Sequence, residues 1–360
     1  MQTRRSLVAI ILQSVSRGAE VEISVVVLNW NRKSLLRACL ASLARQTVGR
    51  FELIVVDNGS TDGSATMVRE EFASDVPFHM TLIENQENRG YCAGNNQGFA
   101  VAQGKLIALL NNDAEADPGW LAGLRAAFEE DSEVGMAASK ILMYEDPRRI
   151  DKAGHLIYAD GQNRGRGTGE IDHGQYDRRE EVLWPDGCAA MYRRQMLERV
   201  GGFDEDFFAY ADDAELGLRA RIAGWRCLYM PEAVVRHRRA SSLGAASTRR
   251  VELIERNRIL LAAKLFPWSL LWLNVWFYLA RIAAGAAAAF RGSGEMANFP
   301  GLRGKLRLIR ALLKADLQAL LLLPRMLRKR RQIHQIRKLT PGEVRRLILR
   351  HRISPRALTG

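Results

Sequence analysis

Residues 21–60 read VEISVVVLNWNRKSLLRACLASLARQTVGRFELIVVDNGS, and the order of patterns in this stretch decides the fold class. Residues 21–28 are largely β-branched and apolar, which is typical of a strand buried on both faces. Residues 33–45 have apolar side chains at a helical spacing, and residues 51–56 repeat the strand pattern. The turn-rich string DNGSTDGS at 57–64 then predicts the start of another helix.

The alternation of strand and helix continues to residue 138. The further predicted strands cover residues 80–83, 105–110 and 134–138, and the further predicted helices cover residues 65–72, 93–102 and 118–130. This alternation predicts an α/β fold with a doubly wound, mostly parallel sheet. Residues 144–183 are polar and Gly-rich without a clean period, so we expect an insertion or a mobile loop there. Regular structure is expected to resume at Leu183 and to continue to His237.

The charge of the chain is concentrated in its C-terminal part. The net charge is +13, and residues 291–360 hold 18 Lys and Arg against 3 Asp and Glu. A basic segment of this kind has two common partners, nucleic acid and anionic lipid. The segment offers few aromatic side chains for stacking on bases, and its leucines suit lipid or protein, so nucleic acid is disfavoured.

An apolar segment and a basic amphipathic helix make up this region. Residues 266–290 contain one charge, Arg281, and carry Trp268, Trp272 and Trp276 four residues apart. An apolar stripe follows, which consists of Leu302, Leu306, Ile309, Leu313, Leu317 and Leu320. A stripe of cations lies beside it and consists of Arg303, Arg307, Arg310 and Lys314. Trp favours the lipid–water boundary, so we expect the region to lie on, or dip into, an anionic leaflet. The alternative is a helical subdomain packed on the body or on a partner chain.

Three segments follow from these patterns. Residues 1–20 are a leader of uncertain role, residues 21–245 are the α/β body, and residues 246–360 are the helical basic region. The string SSLGAAST at 241–248 is typical of a linker. Four cysteines without CxxC spacing suggest neither a zinc site nor a disulfide framework, as expected in a reducing compartment: Cys39, Cys92, Cys188 and Cys227.

Polar strings follow three of the predicted strands. They contain Asn29 after the first strand, Asp57 and Asn58 after the second, and Asn111, Asn112 and Asp113 after the strand at 105–110. Ligands of open α/β sheets bind beyond the carboxyl ends of the strands. A carboxylate such as Asp113, leaving a buried strand, can hold a hard divalent cation that bridges phosphates.

Between these strands lies the string NRGYCAGNN at 88–96. It supplies Arg89, Gly90 and Asn95 at the start of a predicted helix, a combination that can cradle a phosphate. The chain contains neither a Walker motif nor GxGxxG, so nucleotide hydrolysis and hydride transfer lose support.

The densest group of carboxylates lies in GGFDEDFFAYADDAELGLRARIAGWRCLYMPEAVVRH at 201–237. Its members are Asp204, Glu205, Asp206, Asp212, Asp213 and Glu215. Carboxylates this close raise at least one pKa unless a cation or a shared proton relieves the repulsion. The alternative is an ordinary helix start, where the helix dipole favours acidic residues.

Five motifs in order resemble those of the family 2 inverting glycosyltransferases, which have the GT-A fold, and most closely the rhamnosyltransferase-like branch. They are VVVLNWN, IVVDNGSTDGS, ENRGYCAGNNQGF, ALLNNDAEADPGWL and the segment at 201–237. The resemblance covers roughly residues 21–260. It implies a GT-A-type body, whereas the helical, membrane-associated C-terminal region is expected from the patterns at 266–320 described above.

The resemblance also implies roles for particular residues. Asp57 would recognise the nucleotide base, and the metal-binding DxD motif reads Asn111-Asn112-Asp113, so that metal binding depends on Asp113. His237, after the last core strand, would be a second ligand of Mg²⁺ or Mn²⁺. Asp213 would be the catalytic base, oriented by Asp212. The other implied contacts are Asn29, Asn58, Arg89, Gly90, Asn95, Asn111 and Asn112 on the donor and, for the acceptor or sugar, Trp184, Gly187, Asp204, Glu205 and Trp225. For both tryptophans, core packing is the alternative.

The implied activity is metal-dependent inverting transfer of a sugar from a nucleoside diphosphate-sugar, with dTDP-rhamnose as one candidate. The acceptor would be a lipid-linked or cell-surface glycan precursor, at the cytoplasmic face of a bacterial inner membrane, with the protein peripheral or re-entrant. Two alternatives stay open: a polyprenyl-phosphate glycosyltransferase, and a non-catalytic scaffold that binds nucleotide-sugar.

Overall fold

The structure is a computed structural model that describes residues 9–11, 21–72, 78–239, 247–290 and 298–354. Most of the predicted leader and the greater part of the predicted linker at 241–248 lie outside these ranges. The four cysteines are free and buried.

The predicted alternation of strands and helices is confirmed. The strands of the large sheet are β1 (Ala9–Ile11), β2 (Ile23–Asn29), β3 (Glu52–Asp57), β4 (His79–Glu84), β5 (Leu106–Leu110), β6 (Ala114–Ala116), β7 (Val134–Met143), β8 (Ile150–Lys152), β11 (Glu180–Glu181), β12 (Ala189–Arg193) and β13 (Arg226–His237); β9 (His155–Ile157) and β10 (Asn163–Gly165) form a hairpin. The helices of the body are α1 (Lys33–Leu43), α2 (Ser64–Glu71), α3 (Gly90–Val101), α4 (Trp120–Glu130), α5 (Arg194–Val200) and α6 (Asp212–Ile222).

The sheet has the order β1-β4-β3-β2-β5-β12-β7-β13-β11. Strands β4, β3, β2 and β5 are parallel, whereas β12 runs antiparallel to both β5 and β7, and β13 is again parallel to β7. Helices cover the sheet and its strands are buried on both sides, which explains why they read as continuous apolar runs. All the parallel strands end at one edge, where the polar strings meet.

The expectation of a loop at 144–183 is wrong. Strands β8 to β11 lie in this segment, and it contains fully buried polar side chains, Asp151 and Asp160. The short strands escape detection because two or three residues cannot display a period. We call residues 144–183 the insertion.

The C-terminal helices are α7 (Thr248–Leu265), α8 (Trp268–Leu271), α9 (Asn274–Phe290), α10 (Gly301–Ile336) and α11 (Pro341–Arg350). Helix α10 packs along α7 through the small buried side chains of Ala311, Ala315 and Ala319. Helix α7 in turn contacts α6, so the C-terminal helices are built onto the body beside its ligand-binding edge. None of the helices in the described part of the chain is both long enough and apolar enough to span a membrane.

Candidate active site

A cavity of about 810 Å³ lies at the carboxyl ends of the parallel strands. Three parts of its wall differ in character. Asn58, Gly90, Asn111, Asn112, Asp113 and His237 line the part nearest the strand ends; Lys152, His155, Asp186, Asp212 and Asp213 line the middle; Arg250, Arg258, Arg281, Ile282, Leu308 and Leu312 line the part against α7, α9 and α10. Five of the predicted donor residues therefore share one cavity with the predicted catalytic pair, and the C-terminal helices form its far wall.

The polar strand ends are joined by hydrogen bonds. Asn29 and Asp57 are register partners on β2 and β3, and the Asn29 amide donates to Asp57 Oδ2 at 3.2 Å. The Asn112 amide donates to Asn29 Oδ1 at 2.7 Å. Asp57 Oδ1 accepts from the Ser60 backbone N–H at 2.9 Å. Asn29 and Asp57 thus lie buried beneath the cavity floor and fix its loops; a direct contact of Asp57 with the base stays a prediction.

The string at 88–96 is held by Asn58. Its side-chain oxygen accepts from the Arg89 backbone N–H at 3.1 Å, and its amide donates to the Gly90 carbonyl at 3.2 Å. Gly90 has φ +86°, and a Cβ there would lie 2.5 Å from the Phe208 ring, so only glycine fits. The Arg89 side chain is exposed, and Asn95 is buried and donates to its own helix at Tyr91 O. Among the described residues, neither side chain lines the cavity, which differs from the prediction.

Asp113 and His237 form a pair suited to a metal. Their Oδ1 and Nε2 atoms lie 3.3 Å apart, and both side chains are almost buried. Two ligands at right angles, each about 2.1 Å from an ion, would be about 3 Å apart, so the spacing fits. The Nδ1 of His237 lies 2.7 Å from Asp151 Oδ2, the carboxylate–histidine contact that orients metal-binding imidazoles.

The charge around His237 agrees with this arrangement. Burial alone would lower the pKa of His237, but Cys188, Asp113 and Asp151 raise it well above its ordinary value. The carboxylates that surround the imidazole thus favour a positive charge at this position. Asp151 comes from the insertion and was missed, because it lies 86 residues from His237 in sequence.

A second group of possible ligands consists of His155, Asp186 and Asp213, whose ligand atoms all lie within 4.8 Å of one another. However, Lys152 Nζ lies 2.9 Å from Asp186 Oδ2. Burial alone would lower the pKa of Lys152, but Asp186 and Asp151 raise it, so this ammonium group already supplies a positive charge. An ammonium in contact with a ligand oxygen disfavours a metal here, and the fit is better at Asp113 and His237.

Asp212 and Asp213 begin α6, as predicted. Asp213 Oδ2 lies 3.4 Å from His155 Nε2 and accepts from the Gly187 backbone N–H at 3.4 Å. Burial raises the pKa of Asp213, His155 lowers it, and Asp186 raises it further, with a net increase. Burial and the adjacent Asp213 raise the pKa of Asp212 well above its ordinary value. The two carboxyl groups therefore titrate together, and one of them keeps a proton at higher pH than an exposed Asp would.

The turn before α6 is strained. Phe208, Tyr210 and Ala211 have φ values of 64°, 69° and 55°. A left-handed conformation costs a non-glycine residue about 1–2 kcal/mol. Three such residues in four positions persist only where the surroundings hold them, and they stand directly before the two predicted catalytic residues.

The five residues predicted for the acceptor have different surroundings. Gly187 lines the cavity and its carbonyl accepts from the Tyr91 hydroxyl at 2.7 Å. Trp184 is fully buried and stacks on His155, with ring centroids 6.0 Å apart, so it supports the site from the core. Trp225, half-buried at the start of β13, does not line the cavity among the described residues.

The two predicted acidic contacts also lie off the cavity wall among the described residues. Asp204 pairs with Lys264 and Lys329, and Glu205 is exposed and accepts from the Asn96 amide at 3.2 Å. Asp204 is needed for packing because it neutralises cations of the C-terminal helices. No local sequence signal distinguishes it from Asp212, since both precede helical turns.

Comparison with known proteins agrees with the fold. The family model of glycosyl transferase family 2 matches residues 24–201, which end before Asp212. An N-acetylglucosaminyl-diphospho-decaprenol L-rhamnosyltransferase of Mycobacterium tuberculosis is 27% identical over 242 residues, 61% of this chain and 77% of that protein. The O-antigen biosynthesis protein RfbC of Myxococcus xanthus is 29% identical over 229 residues, 61% of this chain and 18% of that protein.

This chain spans a quarter or less of the length of two of the curated relatives that it matches. Among solved structures, a mannosyltransferase from Pyrobaculum calidifontis in complex with GDP-Man and Mn²⁺ is similar at a TM-score of 0.52 and 21% identity. The match covers 84% of this chain and 88% of that one. At this identity the likeness establishes the fold, and the predicted GT-A-type architecture is confirmed.

Proposed function

Since this chain belongs to glycosyl transferase family 2, we propose that it transfers a sugar from a nucleoside diphosphate-sugar to a hydroxyl group of a glycan acceptor, with inversion and with the help of a divalent cation. One observation carries the proposal. The carboxylate of Asp213, with a raised pKa, lines the same cavity as the Asp113–His237 pair. A base and a cation site are the two parts that this transfer needs.

The step follows from these parts. The acceptor oxygen forms a bond to the anomeric carbon while the bond from that carbon to the diphosphate breaks, and the hydroxyl proton passes to Asp213. A divalent cation, when bound by Asp113 and His237, would neutralise the charge that grows on the leaving diphosphate. His155 and the Gly187 N–H contact Asp213 Oδ2 and orient it. The strand-end amides of Asn58 and Asn112 lie where the nucleotide would bind.

The acceptor that fits best is lipid-linked. The cavity continues from Asp213 past Arg250, Arg258 and Arg281 to an apolar wall from α9 and α10. Glu255 and Asp160 pair with Arg258 and Arg281, so the first part of this wall is polar, and a hydrocarbon chain suits the second part. The name of the mycobacterial relative, a rhamnosyltransferase that acts on a diphospho-decaprenol, supports the same choice of acceptor and supports dTDP-rhamnose as donor.

The outer face of the C-terminal helices supports a position at the membrane. Trp272 is 80% exposed and Leu302 is 76% exposed. The other exposed apolar side chains of this face, which we call the apolar belt, are Trp268, Leu273, Val275, Trp276, Leu279, Leu306, Ile309, Leu313, Leu317, Leu320 and Leu321. Arg303, Arg307 and Arg310 lie exposed beside it. We infer peripheral attachment to the cytoplasmic leaflet of the bacterial inner membrane, in which anionic lipid would face these cations.

The activity can be tested with purified protein and a panel of nucleotide-sugars. Release of the nucleoside diphosphate is measured with and without Mg²⁺ or Mn²⁺, for the wild type and for Asp213→Asn. We expect metal-dependent release with one donor, and a loss of about 10²–10⁴-fold in kcat for Asp213→Asn with donor binding retained. Turnover without metal would contradict the roles of Asp113 and His237. Binding without turnover for every donor and acceptor would favour a scaffold.

A further inference from the structure

The turn before the catalytic carboxylates is held by its carbonyl groups. Each carbonyl from residue 206 to residue 211 accepts at least one hydrogen bond. The Arg256 guanidinium donates to the carbonyls of Asp206 and Phe207, and the Asn257 amide donates to those of Phe207, Ala209 and Tyr210. Backbone N–H groups complete the set: Ala209 donates to Phe207, Cys92 to Phe208 and Glu215 to Ala211. Two side chains of α7 therefore hold four of the six carbonyls.

Asn257 makes the largest share of these contacts. It is fully buried, and its Nδ2 lies 2.9, 2.8 and 2.7 Å from the carbonyl oxygens of Phe207, Ala209 and Tyr210. An amide group has two hydrogens, so at least one of them is shared between two carbonyls. These carbonyls belong to the turn in which Phe208, Tyr210 and Ala211 have positive φ.

Arg256 fixes the orientation of this amide. Its Nε donates to Asn257 Oδ1 at 2.9 Å, so the oxygen faces the guanidinium and the nitrogen faces the turn. The guanidinium also donates to the carbonyls of Asp206 and Phe207, at 3.0 and 2.9 Å. The amide cannot flip without placing its oxygen against three carbonyl oxygens, so the contact imposes a single geometry on the turn.

We propose that Asn257 is a positioning residue for the transfer reaction, which holds the left-handed turn at 208–211 and thereby aims Asp212 and Asp213 into the cavity. The proposal rests on the proposed function, because it assumes that Asp213 accepts the proton. It places a determinant of catalysis on a C-terminal helix, beyond the residues 24–201 that the family model matches.

The first test is Asn257→Asp, which keeps the size of the side chain and the contact with Arg256 but removes the N–H donors. We expect kcat to fall about 10- to 100-fold, because small displacements of a catalytic group have effects of this size. The KM for the donor should stay within about twofold, since the donor residues at the strand ends are untouched. Adding Ala211→Gly should restore part of the lost kcat, because glycine adopts φ 55° without steric cost.

Leu124→Ala is the control for lost stability. Leu124 is fully buried in α4, in the other core cluster, so this variant should lower the Tm and leave kcat unchanged. A purely structural role for Asn257 would lower the Tm without changing kcat and without rescue by glycine.

Two results would overturn the proposal. One is a wild-type kcat for Asn257→Asp while Asp213→Asn is inactive. The other is a fall in the kcat of Asn257→Asp that is accompanied by an equal loss of affinity for the donor. If Asp213→Asn is itself active, the proposed function fails rather than this inference. If Asn257→Asp does not fold, Asn257→Gln replaces it in the test. This variant retains the amide but displaces it by one methylene, so we expect the same fall in kcat. A wild-type kcat for Asn257→Gln would count against the proposal.

Discussion

At the residue scale, the chemistry of this site depends on the surroundings of one carboxylate. Burial and Asp186 raise the pKa of Asp213, whereas His155, whose Nε2 lies 3.4 Å from Asp213 Oδ2, lowers it. The imidazole stacks on the buried Trp184 ring and is thereby fixed in place. His155 is thus the residue through which the basicity of Asp213 can be changed without removing the carboxylate.

We predict that His155→Gln shifts the acid limb of the pH profile of kcat/KM to higher pH. Asp213 accepts a proton only when ionised, so activity is lost as the pH falls through its raised pKa. Removal of the imidazole that lowers this pKa should therefore move the limb to higher pH. His173→Gln, at an exposed histidine of the insertion, is the matched control and should leave the profile unchanged. An unchanged or lower acid limb for His155→Gln would contradict the proposed contact.

At the element scale, ion pairs join α7 and α10 to the turn before α6, and the pair with α7 is buried. Asp204 contacts Lys264 of α7 at 2.6 Å and also Lys329 of α10. Asp206 contacts Lys329 and Arg325, both at 2.7 Å. The same turn is therefore held by Asn257 at one end and by α10 at the other. The carboxylates that appeared in sequence as one cluster divide into these anchors and the proposed catalytic pair.

We predict that Asp204→Asn lowers the free energy of unfolding by about 2 kcal/mol at pH 7, because it removes one of the two carboxylates that pair with each of the ammonium groups of Lys264 and Lys329. Burial alone would raise the pKa of Asp204, but Lys264 and Lys329 lower it to about 2. A depressed pKa stabilises the folded state above the unfolded pKa of about 4, and this stabilisation is lost as the pH falls towards 2.

The difference in unfolding free energy between wild type and Asp204→Asn should therefore shrink between pH 5 and pH 2, as measured by urea unfolding. Asp146→Asn is the control: Asp146 pairs with Arg148 on the surface and should have little effect at any pH. A difference that stays constant over this range would mean that Asp204 is not held as an ion pair.

At the scale of the whole molecule, α10 has two apolar faces with different uses. Ala311, Ala315 and Ala319 face α7, and the leucine stripe predicted from sequence points outward. Within the described residues, the stripe therefore does not serve the packing of this chain on itself. The inner side chains of Leu308 and Leu312 line the cavity, so the apolar belt and the active site share the same helix.

We predict that the double variant Trp272→Ser and Trp276→Ser binds vesicles at least about tenfold more weakly than the wild type, since each exposed indole would lose its burial in lipid. Sedimentation with vesicles of neutral lipid and with vesicles containing anionic lipid measures this. Replacement of Arg303, Arg307 and Arg310 by Gln should abolish the preference for anionic vesicles. Ile171→Ser, at an exposed apolar residue of the insertion, is the control. Equal binding by the tryptophan variant and the wild type would exclude the belt as the membrane-facing surface.

The sequence by itself determined the fold class and the polar residues at the strand ends. These features depend on local order: apolar runs form strands, and the residue after each parallel strand lies at one edge of the sheet. Asn58, Asn112 and Asp113 were identified for this reason, whereas Asp213 was identified through the resemblance to the family; all four line the cavity.

Only the tertiary structure decided which distant residues complete the site. Asp151 reaches His237 across 86 residues, Lys152 and His155 come from a segment that has no period, and Asn257 contacts a turn about 50 residues away. Contacts of this kind leave no periodic trace, because they depend on how separate elements pack and not on the spacing within any one of them. For the same reason, Arg89 and Asp204, chosen by their neighbours in sequence, lie off the cavity wall.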